Sequence, residues 1–228
     1  MFWLRLLAIF LIIGGGLVLT SAVFPIISYE LFTAPNFSRG DSDSKFLSPV
    51  GDSNSQKYSP VDLTRASNWF VGSLDFPDRP EANSQIKYYT LSIPKLKISQ
   101  ATVEIAGEDL SKNLIHYKGT AIPGRVGNAV IFGHSTLPQF FSPTNYLSIF
   151  STLPTLAKGD EIIVSYDGIT YRFVISEMFE VAPTEISVLA QPNDKPHLTL
   201  ITCVPPGTYL RRLIVKAELA PMQSGASI

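Results

Sequence analysis

Sulfur is nearly absent from this 228-residue chain: Cys203 is its one cysteine, so no internal disulfide can form. With no His/Cys cluster around that thiol, a structural zinc site is also excluded. Excess charge of either sign is lacking, with 18 basic residues against 19 acidic ones and no basic patch interleaved with aromatics. That balance argues against nucleic acid as a partner. There is no Gly-rich phosphate loop and no internal repeat, and histidine is confined to His116, His134 and His197. A lone thiol in such a chain is either buried filler or a nucleophile.

Long hydrophobic runs are scarce too, with one exception. Residues 6–29 carry no charged side chain, and about 20 apolar residues suffice to cross a bilayer core. Arg5 lies on the near side of this run, which places the N-terminus in the cytoplasm and the rest outside. A cleaved signal peptide, with its h-region over 6–19 and a site at Thr20-Ser21-Ala22, is the alternative. Val23, Phe24, Ile26 and Ile27 prolong the apolar run beyond what an h-region needs. The expectation is a single-pass plasma-membrane protein with an extracellular C-terminal domain. A lone thiol is unusual in that oxidising setting, which favours chemistry over filler.

Composition divides the chain into four parts. Residues 1–32 form the membrane anchor, and 33–60, rich in Ser, Asp, Asn, Gly and Pro, read as a flexible linker. Residues 61–85 mix Trp69, Phe70, Val71, Leu74 and Phe76 with Asp75, Pro77, Asp78 and Pro80. They read as a segment packed on the domain surface or a lid over a groove. Residues 86–221 form the main domain.

Within that domain, short apolar runs alternate with turn signals. Strands are expected at 87–93, 98–105, 128–133, 161–166, 170–181, 198–202 and 210–219. Asp167-Gly168 between two of them signals a two-residue hairpin. One short helix is expected at 146–153 and a turn near 184–189. The pattern indicates an all-β barrel or sandwich.

Cys203 ends the strand-like run Leu198-Thr199-Leu200-Ile201-Thr202. A thiol attacks as thiolate and needs a base or a positive charge nearby. His134 follows Ala129-Val130-Ile131-Phe132-Gly133, at a strand end where catalytic groups commonly sit. His197 lies on the cysteine's own strand, six residues away, or about 20 Å at roughly 3.3 Å per residue, and is rejected as partner. For His116, in Leu114-Ile115-His116-Tyr117, closing a hydrogen-bond network is the favoured reading. Two arginines follow. Arg211 shares parity with Leu213, Val215 and Ala217, whereas Arg212 lies on the opposite face. If the loop 204–209 joins antiparallel neighbours, Arg212 stands beside Cys203.

The stretch Thr199-Leu200-Ile201-Thr202-Cys203, with Arg212-Leu213-Ile214-Val215 nine positions on, closely resembles the TLxTC…R signature of sortases. The upstream run His116-Tyr117-Lys118-Gly119-Thr120-Ala121-Ile122-Pro123-Gly124, then Gly127-Asn128 and Gly133-His134-Ser135, is similar to the sortase region ending in the catalytic histidine. The resemblance covers residues 88–219. It implies an eight-stranded β-barrel with Cys203 as nucleophile, His134 as general acid/base and Arg212 as the oxyanion- or substrate-orienting cation. His116 matches a histidine that is not catalytic. Gly119-Thr120 and Pro123-Gly124 resemble non-housekeeping classes, class D-like enzymes in particular. No cofactor and no required metal are expected.

The implied reaction cleaves an LPxTG-like sorting signal after Thr and transfers the acyl group to an amine. Implied partners are surface proteins bearing the signal and an acceptor on a peptidoglycan precursor or a pilin lysine. Residues 177–196 are expected to form one groove wall. Two other readings compete: an L,D-transpeptidase, which would need a Ser-x-Gly-Cys-x-Arg context that Cys203 lacks, and a non-catalytic sortase-like assembly module.

Overall fold

A computed structural model describes residues 2–39, 62, 64–70 and 86–221. Helix α1 (Phe2–Ser28) is followed by a π turn, Tyr29–Thr33, a 3-10 turn, Ala34–Asn36, and the two-residue strand β1 (Ser38–Arg39). The α1 helix is exposed along almost its whole length, as an apolar rod built for a bilayer would be. From Tyr29 onward the chain joins the domain. Tyr29 and Ala34 are buried in its core, Phe37 packs against it, and β1 pairs in parallel with Phe179 and Glu180. Residues 33–39, the first part of the expected linker, are therefore packed structure. The linker's remainder, 40–60, and most of 61–85 lie outside the described residues.

Eight strands follow: β2 (Tyr88–Ile93), β3 (Ile98–Ile105), β4 (Leu114–His116), β5 (Gly127–Phe132), β6 (Glu161–Tyr166), β7 (Ile169–Val181), β8 (Pro196–Val204) and β9 (Arg211–Leu219). Their spatial order is β7-β6-β2-β3-β4-β5-β8-β9, and β9 pairs back onto β7 to close the barrel. Asp167 and Gly168 join β6 to β7 with φ of 52° and 72°, the positive pair that a type I′ hairpin requires. β7 is long enough to serve two seams, pairing with β6 through its first half and with β9 through its second across a bulge at Ile175/Glu177.

The strands β5, β8 and β9 are buried on both faces. Ala129, Ile131, Leu198, Leu200, Leu213 and Val215 point into the barrel core. The opposite parity, Val130, Phe132, Ile201, Cys203 and Ile214, joins Trp69, Val188 and Leu189 in a second cluster. Each fully buried aliphatic or aromatic side chain contributes about 1.5–3 kcal/mol, so this second layer is a real part of the fold. It is also where the thiol sits.

One expectation changes and one is met. The helix expected at 146–153 is a run of turns ending in the 3-10 turn Leu153–Thr155. Asn145 accepts from Leu147 N and Ser148 N, an Asx-type turn that competes with helix, and Pro154 follows. The turn near 184–189 is a 3-10 turn, Ile186–Leu189, capped by Glu185.

Candidate active site

Cys203 lies one residue from the end of β8, and its Cα partner on antiparallel β9 is Arg212. Both side chains are buried, at 5% and 2% exposure. They share a face because strand parity sends Ile201 and Cys203, like Arg212 and Ile214, away from the barrel interior. Arg211, the next residue, diverges from them. Its Nε donates to Glu180 Oε2 at 2.6 Å and its Nη2 to Glu30 Oε1 at 2.5 Å.

His134 follows β5, which runs parallel to β8 with Phe132 opposite Ile201. The residues flanking it are tied to the cysteine strand. Gly133 N donates to Ile201 O at 3.2 Å, Thr202 Oγ1 donates to Gly133 O at 2.8 Å, and Ser135 Oγ donates to Cys203 O at 2.6 Å. Glycine is required at 133: a Cβ there would stand 2.4 Å from the Phe150 ring and 2.6 Å from Leu114. Its absence lets the chain press against those side chains and carry His134 to the mouth of a cavity.

That cavity, of about 340 Å³, is lined by His134, Ser135, Thr136, Leu137, Phe140, Cys203, Gly207, Thr208 and Tyr209. His134 Nε2 is buried there with no hydrogen-bond partner. A buried polar nitrogen without a partner costs free energy that folding alone does not justify, and His134 shares the cavity with a thiol that needs a base. Burial lowers the His134 pKa below its ordinary value. Burial also pushes the Cys203 thiol up, with the Arg212 charge pulling part of the way back. Both shifts favour the neutral forms in this closed state.

The closure has a visible cause in Trp69, which is fully buried. Its ring stacks on Phe132 at 5.3 Å, tilts over His134 at 5.7 Å and lies 5.5 Å from the Arg212 guanidinium. Its carbonyl accepts from Arg212 Nη2 at 2.9 Å and Nε at 3.2 Å, while Arg212 Nη1 donates to Tyr209 O at 3.0 Å. Trp69 is thus laid against the histidine and the arginine, in the same buried cluster as the cysteine. Strand periodicity carries no signal for Trp69; the only sequence hint was an aromatic-rich stretch too apolar for a free linker.

The other histidines are elsewhere. His116 ends β4 fully buried, with Nδ1 2.9 Å from Tyr89 Oη and Nε2 3.0 Å from Thr120 Oγ1. Burial brings its pKa down to about 4, as suits a neutral, network-closing imidazole. His197 opens β8 opposite Glu218 and contacts Asp194 at 2.9 Å. Residues 177–196, expected as one groove wall, do not border the thiol cavity; Glu177, Ser187, Ala190 and Gln191 line a separate cleft with His197. Among the described residues no group of three or more His, Cys, Asp or Glu is placed to hold a metal ion.

Known proteins resemble this chain in sequence and fold. Sortase D of Bacillus subtilis (strain 168) is 30% identical over 118 residues, which cover 50% of this chain and 53% of that protein. The match thus spans about half of that relative's length. A Clostridium perfringens Sortase D5 transpeptidase superposes with a TM-score of 0.51 at 29% identity, covering 59% of this chain and 79% of that one. A lid mutant of Sortase A from Corynebacterium diphtheriae gives 0.53 at 26%, covering 64% and 76%. The Sortase domain family model matches residues 91–220, a span that includes His134, Cys203 and Arg212 and more than half of the sequence, so the chain belongs to the sortase family.

Proposed function

We propose that this chain is a membrane-anchored cysteine transpeptidase that cleaves an LPxTG-like sorting signal and passes the acyl group to an amine. The observation that carries the reading is the pairing of Cys203 with Arg212 across β8 and β9, beside an unpartnered His134 nitrogen in one cavity. The Cys203 thiol gives its proton to His134 and, as thiolate, attacks the carbonyl carbon of the signal's Thr, giving a tetrahedral oxyanion that the Arg212 guanidinium steadies. The C–N bond to Gly then breaks, His134 supplies the proton to the departing amine, and a C–S thioester remains on Cys203. In the second half, an amine gives its proton to His134 and attacks the thioester, a new amide forms and the thiol is released. The amine belongs to a peptidoglycan precursor or a pilin lysine.

In this reading residues 64–70 act as a resting cover, because the donors that Arg212 needs for an oxyanion are engaged by the Trp69 carbonyl. Helix α1 anchors the chain in the plasma membrane with its N-terminus inside and residues 86–221 outside. Among the described residues it is the one helix long and apolar enough for that task.

The test uses the full chain in detergent with a library of LxxTG-type peptides and several amine acceptors, followed by mass spectrometry. A thioacyl adduct on Cys203 and an amine-exchanged product are expected, and both vanish in Cys203→Ala. If no peptide yields an adduct, the transpeptidase reading fails. If Cys203→Ala keeps the chain's function, it is an assembly module.

A further inference from the structure

The active-site cavity and the apolar helix are neighbours in space. Gln139 Nε2, five residues after His134 in sequence, donates to the Ser21 carbonyl at 3.0 Å. A cleft of about 250 Å³ lies between the two, lined by Phe24, Pro25 and Tyr29 from the helix and by Pro138, Pro154 and Pro206 from the domain. Leu137 and Gly207 line the thiol cavity on the other side of that layer. They touch closely enough that a Cβ on Gly207 would fall 2.9 Å from Leu137. The loops 137–141 and 205–210 therefore form one rim, with Cys203 on one side and the end of α1 on the other.

The depth of that rim follows from helix geometry. With Arg5 at the inner boundary, about 20 residues at roughly 1.5 Å each reach the outer boundary near Pro25. Ser21 then lies about 6 Å to the hydrocarbon side of it. A loop held at Ser21 cannot stay clear of the lipid headgroups. The same rim exposes large apolar side chains: Phe140 at 64%, Tyr209 at 66% and Leu210 at 60%. Leu31 and Phe32, just past the helix, are exposed as well. Phe, Tyr and Leu are side chains that settle at the headgroup–acyl boundary, where an interfacial face penetrates about 5–10 Å.

The mount is stiff. Arg211 bridges Glu180 of β7 and Glu30 of the π turn, Tyr29 Oη donates to Glu180, and β1 pairs alongside β7. These contacts leave the barrel little freedom to turn about the helix.

We infer that the active-site rim is a membrane-interface surface: Phe140, Tyr209 and Leu210 enter the outer leaflet beside α1, and the Cys203 cavity opens at headgroup level. The occupant of this apolar face is the bilayer itself. The inference rests on the reading of α1 as a membrane anchor.

Site-directed spin labelling of the full chain in phosphatidylcholine vesicles tests both layers separately. In a Cys203→Ala background, single cysteines replace Leu11 in the helix, Phe140 and Leu210 on the rim, and Ile169 at the far end of β7. Labels at 11, 140 and 210 should be relaxed more by oxygen than by a water-soluble nickel chelate, and the label at 169 the reverse. A lipid-like value at 11 with a water-like value at either rim position overturns the interface surface and leaves the anchor standing. A water-like value at 11 overturns the anchor and this inference with it.

Discussion

Cys203 and Arg212 face each other across β8 and β9, yet the guanidinium spends its donors on the main-chain carbonyls of Trp69 and Tyr209. Arg211, one residue away, is held by carboxylates on the other side of the strand. Adjacent arginines in such different surroundings should fail differently. Arg212→Ala is expected to leave a trace of thioacyl formation. Arg211→Ala takes the cation from the Glu180 carboxylate, whose side chain is 1% exposed, and leaves it only the Tyr29 hydroxyl. Breaking a buried pair from one side costs roughly 3–5 kcal/mol. Its activity per folded molecule should stay far above that of Arg212→Ala, while its thermal midpoint falls further. Adduct yield and midpoint, measured on both variants, check this. Greater loss of activity per folded molecule in Arg211→Ala would contradict the role given to Arg212.

A resting cover makes its own prediction. Trp69→Ala removes the ring that lies over His134 and Arg212 but keeps the carbonyl that Arg212 uses. Alkylation of Cys203 by a small reagent such as iodoacetamide should accelerate. Removing a fully buried Trp also costs about 3–5 kcal/mol of stability, so the rate is compared well below each variant's unfolding temperature. An unchanged alkylation rate would mean that Trp69 is core packing and no barrier.

The pH dependence of that alkylation carries a sign. Burial raises the Cys203 pKa above its ordinary 9.0, and Arg212 opposes the rise. The thiolate fraction, and with it the alkylation rate, should therefore climb to a midpoint above that value. Arg212→Gln removes the opposing charge, so the midpoint moves higher still and labelling at pH 8 slows. A midpoint that fell in Arg212→Gln would show that Arg212 does not act on the thiol through its charge.

Much of the barrel is legible in the sequence because its strands alternate or run continuously apolar between turn residues. The expected 98–105 and 161–166 match β3 and β6 at both ends. The three-residue β4 is too short to show a period, and the two polar residues of β1 become a strand only through pairing with Phe179 and Glu180. The pairing of Cys203 with Arg212 was legible for a local reason: a short loop between two strands fixes register, and parity then fixes the face. Trp69 was not, since it meets Arg212 across 143 residues and no local pattern encodes that contact. For the same reason residues 33–39 read as linker, since only the distant pairing of Ser38 and Arg39 with β7 and the packing of Ala34 and Phe37 on the core make them structure.

The last prediction concerns His116, which the mechanism does not use. Its pKa falls from 6.5 to about 4 because burial against Tyr89 and Thr120 disfavours the charged ring. Between those two values the unfolded chain holds the proton and the folded chain does not, so stability rises with pH across that window. The contribution is complete above pH 6.5 and is lost as pH falls toward 4, amounting to about 3 kcal/mol at 1.36 kcal/mol per unit. His116→Gln keeps a polar side chain without a titrating proton. Its thermal midpoint at pH 7 should be lower than that of the unaltered chain, but its drop between pH 7 and pH 4.5 should be smaller. Parallel midpoint curves for the two chains would locate the acid sensitivity elsewhere.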